Sequence, residues 1–325
     1  MDPLTHTATG LFLSRAGLKR WTPAATGILL LAANAPDIDV AALAGGPLNY
    51  LHWHRNITHS LAAMPVLALL VVAVVRTVSR KRIPWRAAFS VALLGVASHL
   101  LLDWTNAYGI RLLLPFSGRW FQLDQTALFD PWIWSVALIC VLGPFLGRLV
   151  GSEISSGKLK PLHYGRGFAW FFLAFLLLYN CGRFVLHVRA VSVLAAREYQ
   201  ETAPSRAAAF PSANPWRWHG LVETPDFYAA ANVDLTANFD PTRAAIFHKP
   251  DPDPAINTAR ATRAFQEFLQ FSKFPLWRVS PAADLDNGKE VEVLDLRFGT
   301  PLDPGFRVDA LVDGSGHVRR SAFHW

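Results

Sequence analysis

Residues 87–103 read AAFSVALLGVASHLLLD, and this stretch combines the two features that decide the fold. The stretch contains an uncharged, mostly apolar run, 87–102, that is near the length that crosses a bilayer as a helix, about 17–25 residues. The stretch ends with His99 and Asp103, four residues apart. Side chains at that spacing share one face of a helix, so the pair can act together at the end of a membrane segment.

Further apolar runs of comparable length cover residues 61–78, 132–149 and 168–188, and two shorter runs cover 4–18 and 23–35. The chain is 52% hydrophobic and only 17% charged, whereas an ordinary soluble domain is about one quarter charged. We therefore expect a mainly α-helical polytopic membrane domain over residues 1–189. It would have about six membrane segments, of which the first two are short.

The composition changes after about residue 190 to a proline-rich, charged stretch without further spanning runs. Apolar residues alternate in 290–298, and the segments 306–312 and 317–323 flank Asp313-Gly-Ser-Gly, which is typical of a hairpin turn. Residues 256–272 have the pattern of one helix. We expect a small α+β domain outside the membrane over residues 190–325.

Basic residues are concentrated in three loops between the apolar runs. They are Lys19 and Arg20; Arg76, Arg80, Lys81, Arg82 and Arg86; and Arg148, Lys158, Lys160 and Arg166. The positive-inside rule places such loops in the cytoplasm. This explains the net charge of +7 better than nucleic-acid binding does, and we expect no nucleic-acid partner.

This topology places a set of polar side chains together at the outer ends of the segments: His6, Asp37, Asp39, His54, His59, His99 and Asp103. Imidazole and carboxylate groups suit zinc, manganese or iron. Taken singly, each residue has an ordinary explanation as a turn, a helix cap or an interface residue. Their common placement instead predicts a metal site.

The motifs Asp-Pro-Leu-Thr-His-Thr (2–7), Pro-Asp-Ile-Asp (36–39), His-Arg-Asn-Ile-Thr-His-Ser (54–60) and His-Leu-Leu-Leu-Asp-Trp-Thr-Asn (99–106) occur in this order. In this respect the chain resembles the membrane-bound metal-dependent hydrolases, including the LexA-regulated inner-membrane type. It is more weakly similar to zinc-dependent phospholipase C. It departs from the first family at Asn56, where glycine is expected.

The resemblance implies hydrolase activity and a set of primary metal ligands, namely His6, Asp37, His59, His99 and Asp103. His54 and Asp39 are weaker candidates for the same role. It also implies a bacterial inner-membrane location, and the topology set by the basic loops places the C-terminal domain on the outer, periplasmic side. Zinc is the expected metal, as two or three ions, with manganese or iron as alternatives.

Three arginines on the outer side, Arg55, Arg111 and Arg119, are candidates for binding an anionic group such as phosphate, because guanidinium pairs bidentately with its oxygens. The alternative for each is a rim residue that solvates the interface. Asp130-Pro131 is typical of a helix start, and a ligand role for Asp130 is the less favoured interpretation.

These observations lead to one leading hypothesis and two alternatives. The leading one is hydrolysis of a phosphoester in a membrane lipid or lipid-linked substrate by metal-activated water, with Asp37 or Asp39 as general base. The alternatives are a metal or small-ion transporter, and a metal-stabilised scaffold without catalysis. The C-terminal domain would cap the site, admit substrate or recruit a protein partner.

Overall fold

The computed structural model describes residues 1–79, 82–154, 164–283 and 285–325, and for residues 148–154 and 164 it describes only the backbone. The basic residues Arg80, Lys81, Lys158 and Lys160 and the side chain of Arg148, all predicted to be cytoplasmic, therefore lie outside the described part. The chain forms two compact units. The first contains Met1–Asp39 and Arg55–Val185, and the second contains Val40–His54 and Leu186–Trp325.

The first unit is helical. Its helices are α1 (Pro3–Ala16), α2 (Ala25–Ala32), α4 (Ala63–Val78), α5 (Trp85–Trp104), α6 (Pro131–Ile154) and the part of α7 (Tyr164–Ala195) that precedes Leu186. Short 3-10 helices cover Leu18–Arg20, Pro36–Gly45 and Ile57–His59, the second of which continues past Asp39 into the second unit. Asp130 begins α6 as its sequence predicts, since its Oδ1 accepts the backbone N–H groups of Trp132 and Ile133 at 3.0 and 3.2 Å.

Two helices in the described part are long and apolar enough to cross a membrane, Trp85–Trp104 and Gly165–Ala195. The number rises to four if two bent pairs, Ala25–Ala32 with Pro36–Gly45 and Pro47–His59 with Ala63–Val78, each count as one span. Helix α1 has 14 residues, which at about 1.5 Å per residue is shorter than the hydrocarbon core. A helical unit with two to four candidate membrane spans is thus confirmed in the described part of the chain, whereas the count of about six segments stays a prediction.

Small residues let α1, α2 and α5 pack with their backbones close together. A Cβ added at Gly10 of α1 would lie 2.7 Å from the carbonyl oxygen of Leu29 in α2, and one added at Gly95 of α5 would lie 2.7 Å from Ala32 Cβ. Close packing through small residues is a common way for membrane helices to associate. The end of α2 is thereby held against the half of α5 that carries His99 and Asp103.

The second unit contains two antiparallel four-stranded sheets, each with its strands in chain order. The strands are β1 (Arg206–Pro211), β2 (Arg217–Glu223), β3 (Phe227–Asp234) and β4 (Ala245–His248) in one sheet, and β5 (Pro275–Pro281), β6 (Lys289–Asp295), β7 (Arg307–Val312) and β8 (Val318–His324) in the other. The hydroxyl of Tyr228 in β3 donates to the carbonyl oxygen of Pro275 in β5 at 3.3 Å, which links the sheets. The predicted α+β composition is confirmed.

The single helix predicted over residues 256–272 is wrong, because the structure has two helices there, α8 (Pro254–Arg260) and α9 (Arg263–Phe271). Thr262 separates them. Its backbone is extended and its hydroxyl accepts the N–H of Phe265, so it caps a new helix instead of continuing the first. The apolar face seen in the sequence is nevertheless buried, with Phe265 and Phe268 both 0% exposed.

The segment Val40–His54 folds with the second unit, although it lies within residues 1–189, which the sequence predicts to be the membrane domain. Its helix α3 (Pro47–Trp53) contacts α9 and β8. His52 Nδ1 lies 2.8 Å from Glu267 Oε1, and the Tyr50 ring meets the Trp325 ring edge-on at 5.1 Å. The chain therefore leaves the helical unit after Asp39 and returns to it at Arg55.

We expect Gly95→Leu to weaken metal binding, because its side chain would push α2 away from α5. Gly27→Leu is the matched control, since a Cβ at Gly27 of α2 meets nothing within 4 Å. Zinc affinity measured by competition with a chelator should fall for Gly95→Leu and stay unchanged for Gly27→Leu. Equal affinities in both variants would contradict the close-packing argument.

A second prediction concerns the ion pair of Arg297 and Asp295 in the second unit, whose side chains are both 0% exposed and 2.7 Å apart. Breaking a buried pair by removing one partner costs about 3–5 kcal/mol, so Asp295→Asn should increase hydrogen exchange in β6 and β7 strongly. The control is Glu292→Gln, because the Arg278 partner of Glu292 is 52% exposed, and such pairs contribute about 0–1 kcal/mol. Similar exchange in both variants would show that burial of the pair is unimportant.

Candidate metal centre

Four side chains of the helical unit converge on one point: Asp37, His59, His99 and Asp103. The last two turns of α5 supply His99 and Asp103. The 3-10 helix Pro36–Gly45 supplies Asp37, and the 3-10 helix Ile57–His59 supplies His59. Three chain segments that are far apart in sequence therefore meet at the ends of their helices.

Five distances among the four atoms that face each other are close to the ligand spacing around a tetrahedral ion, and all four atoms lie within 4.8 Å of one another. His59 Nε2 and His99 Nε2 are 3.1 Å apart. Asp37 Oδ1 lies 3.4 and 3.5 Å from these nitrogens, and Asp103 Oδ2 lies 3.4 Å from each. Bonds of about 2.0–2.2 Å to zinc would separate ligand atoms by about 3.3–3.6 Å in a regular tetrahedron. The cluster can therefore hold a metal ion of this size.

The hydrogen bonds behind the two histidines decide which ring atom faces the cluster. His99 Nδ1 lies 2.7 Å from the carbonyl oxygen of Ala33, which can only accept, so this nitrogen carries the proton. His59 Nδ1 lies 3.1 Å from Asp39 Oδ2. In the neutral rings both Nε2 atoms then present lone pairs, and two carboxylate oxygens join them. Four electron-rich atoms without a donor between them favour a bound cation.

Asp39 lies behind His59 instead of among the four converging atoms. Its Oδ2 accepts the backbone N–H of Arg55 at 2.8 Å and the hydroxyl of Thr58 at 2.7 Å. Thr58 itself lies inside the 3-10 helix Ile57–His59. A carboxylate on the far nitrogen of a histidine ligand is a common device for fixing the ring.

The second oxygen of Asp103 faces a different set of groups. Asp103 Oδ1 lies 3.3 Å from His6 Nε2 and 3.3 Å from Arg55 Nη2, and the Met1 ammonium contacts it as well. The His6 ring is 0% exposed and stacks on the His99 ring with centroids 3.8 Å apart. His6 thus borders the cluster, although it is not one of its four members.

Three members of the cluster are buried, and the fourth, Asp37, is partly exposed. The side chains of His59, His99 and Asp103 are 0% exposed, whereas that of Asp37 is 16% exposed. A molecule from outside would therefore reach the cluster past Asp37.

The remaining sequence-predicted site residues lie in different surroundings. His54 belongs to the second unit, where its ring stacks on Tyr50 at 4.5 Å. Arg111 is 7% exposed with its guanidinium 4.7 Å from the centre of the Trp120 ring. Arg119 is exposed, 5.6 Å from the Phe121 ring. Arg55 contacts a member of the cluster directly, since its Nη2 lies 3.3 Å from Asp103 Oδ1.

Some contributors to the site carry no signal in the sequence. The Ala33 carbonyl that orients His99 is backbone, so no residue type could reveal it. Asp2 accepts the N–H groups of Leu4 and Thr5 at 3.0 Å and the indole N–H of Trp134 at 3.0 Å, which fixes the start of the helix that bears His6. Unlike the Ala33 carbonyl, Asp2 could have been noticed in the sequence, because it is the first residue of the motif at 2–7.

Asn56, which stands where glycine is expected, has an uncommon backbone conformation. Its φ is −91° and its ψ is −128°, a pair outside the main regions allowed for residues with a side chain. The left-handed conformation in this turn falls on Arg55 instead, with φ 56°.

Comparison with known proteins identifies the family. The sequence model of a family described as YdjM inner membrane protein matches residues 1–190, more than half of the 325 residues. The chain belongs to this YdjM family. A second model, described as the YfhP C-terminal alpha/beta plait domain, matches residues 254–325, which contain α8, α9 and β5 to β8.

A curated relative is the protein named uncharacterized protein YfhP of Bacillus subtilis (strain 168). It is 30% identical over 143 residues, which are 41% of this chain and 43% of that protein. The match thus spans less than half of the relative's length. No solved structure matches the chain. YdjM family membership and the apolar helices together make this a membrane protein, and the resemblance to metal-dependent hydrolases stays a prediction.

We expect detergent-purified protein to retain at least one zinc ion per chain, and the double variant His99→Ala/Asp103→Ala to lose it, because half of the tetrahedron is removed. Plasma mass spectrometry of metal and protein sulfur gives the ratio. His219→Ala is the control, since His219 is an exposed residue of β2 that pairs with Asn232. Equal metal content in the double variant and the control would place the metal elsewhere.

Proposed function

We propose that this protein is a membrane-bound metal-dependent hydrolase that acts on a phosphoester of a lipid or lipid-linked substrate. The observation that carries the proposal is the meeting of two imidazole lone pairs and two carboxylate oxygens at one point, with a single partly exposed member, Asp37. A cation bound by these atoms would be reached by substrate from one side.

A divalent ion in such a site lowers the pKa of water and polarises a phosphoryl oxygen. The chain's own residues would supply the rest. His59 and His99 are held by Asp39 and the Ala33 carbonyl, so their Nε2 atoms stay directed at the ion. Asp37 lies at the open edge, and we assign it the role of general base toward an incoming water.

Asp39 was the second candidate for the base. Its side chain is only 4% exposed and lies against His59 Nδ1, which suits an orienting role better. We therefore keep Asp37 for proton transfer and Asp39 for holding the ligand ring.

A lipid substrate fits two exposed apolar residues that are close in sequence to His6 and Asp37. Leu4, two positions before His6, is 65% exposed, and Ile38, next to Asp37, is 67% exposed. Exposed apolar side chains are suited to contact with acyl chains. Among the three candidate arginines, Arg119 is the exposed one and is our choice for contact with the anionic group.

The proposed topology places the cluster at the outer face of the inner membrane. It keeps the basic loops in the cytoplasm, as the positive-inside rule requires, with about six segments and the second unit on the periplasmic side. The proposed ions are zinc, with the four-residue cluster as the first site and His6 beside Asp103 Oδ1 as the start of a second. Manganese and iron are the alternatives.

One observation favours a second function, a structural metal that clamps the helices. Structural zinc sites are usually closed by four protein ligands, whereas catalytic sites keep one position for water. The cluster supplies four protein ligands, the number that is usual in structural zinc sites. Under this alternative the unit needs the ion for stability and hydrolyses nothing.

Asp37→Asn separates the two functions. For a hydrolase we expect the variant to retain most bound zinc, because three strong ligands remain, and to lose at least about 100-fold in phosphoester hydrolysis, since removing a general base typically costs 10²–10⁴-fold. The substrates are mixed phospholipid micelles and a chromogenic phosphodiester, assayed with zinc, manganese and iron over a broad pH range.

The matched control is Asp251→Asn, which changes an exposed aspartate of the second unit. If metal-loaded wild-type protein hydrolyses none of these substrates and removal of zinc lowers its unfolding temperature steeply, the structural function is supported instead.

A further inference from the structure

We infer that Arg55 is a positioning residue of the metal centre, acting through Asp103, and that it makes no contact with substrate. The inference rests on the proposed function only in requiring that the four-residue cluster binds a metal. It changes the role expected for Arg55 from its sequence, which was the binding of an anionic substrate group.

The guanidinium group of Arg55 is directed at protein atoms and is closed to solvent. The residue is 2% exposed. Nη2 lies 3.3 Å from Asp103 Oδ1, and Nη1 donates to Asn106 Oδ1 at 3.1 Å and to the carbonyl oxygen of Gly109 at 3.4 Å. The ring of Tyr108 lies beneath it at 4.9 Å. These contacts hold the guanidinium plane in one orientation.

This orientation determines which oxygen of Asp103 faces the metal position. The two oxygens of a carboxylate are chemically equivalent, so an unheld group can turn either toward His59 and His99. Arg55, together with His6 and the Met1 ammonium group, holds Oδ1 on the far side, which leaves Oδ2 at 3.4 Å from both Nε2 atoms. A hydrogen-bonded ligand carboxylate keeps its geometry when the ion binds.

The backbone of Arg55 acts on the opposite side of the cluster. Its N–H donates to Asp39 Oδ2 at 2.8 Å, and Asp39 in turn lies against His59 Nδ1. The N–H points there because Arg55 adopts φ 56°, a left-handed conformation that is uncommon for residues other than glycine. One residue therefore supports two of the four cluster members, through its side chain and through its main chain.

The test is cobalt binding by the full-length protein in detergent, with the visible spectrum of Co²⁺ as a report on ligand geometry. We expect Arg55→Gln to lower Co²⁺ affinity about 10–100-fold, the usual effect of losing a partner of a metal ligand, and to change the Co²⁺ bands. Arg55→Lys should give an intermediate affinity, because the lysine ammonium group keeps the positive charge but lacks the planar set of N–H donors of the guanidinium. Arg20→Gln is the control, since Arg20 is exposed in the 3-10 helix Leu18–Arg20.

The possible outcomes are distinguishable. Wild-type affinity and an unchanged Co²⁺ spectrum in both Arg55 variants, with a raised KM for substrate, would overturn the inference and restore the substrate-binding role. If Arg55→Gln does not fold, as judged by gel filtration, Arg55→Lys decides in the same way. Absence of Co²⁺ binding by the wild type would refute the metal centre itself, and this inference with it.

Discussion

The structure of the helical unit depends on one electrostatic constraint, the placement of two imidazoles and two carboxylates against each other in a buried position. His59, His99 and Asp103 are withdrawn from water entirely. Burying polar groups is costly unless their lone pairs find partners. Nδ1 of His99 has a partner in the Ala33 carbonyl, and Nδ1 of His59 has one in Asp39. Oδ1 of Asp103 has a partner in Arg55. The front atoms face each other, and a cation would be their natural partner.

The helix packing serves this arrangement. His99 can reach the Ala33 carbonyl because Gly95, one turn earlier on α5, lets Ala32 of α2 approach closely. A larger residue at Gly95 would separate the helices at the level of the cluster. Stability of the helical unit and geometry of the site are therefore controlled by the same contact.

The path of the chain adds a further connection. Residues Val40–His54 fold with the second unit, while the residues on either side of this segment, Asp39 and Arg55, support the metal cluster. The hydrogen bond from the Arg55 N–H to Asp39 Oδ2 joins the two residues that flank this segment. The residues that orient His59 and Asp103 are thus covalently continuous with a segment of the α/β unit.

The sequence by itself determined the class of protein and much of the candidate site. The apolar runs predict membrane helices because a bilayer sets their length, and the four-residue spacing of His99 and Asp103 places both on one helical face. Three of the four strands of the second sheet, β6 to β8, were predicted from apolar alternation and from the turn Asp313-Gly-Ser-Gly, whereas β5 was not. The break at Thr262 was missed because the apolar face continues across it.

Only the tertiary structure decided how the candidate ligands divide. Asp37 and Asp39 are two residues apart and chemically alike, yet Asp37 joins the cluster and Asp39 turns to the rear of His59. Likewise, Arg55 meets Asp103 across a separation of 48 positions, and His54 folds with the other unit. The physical reason is that local sequence fixes the face of a helix or the end of a turn, whereas the distance between two such ends depends on how the helices pack.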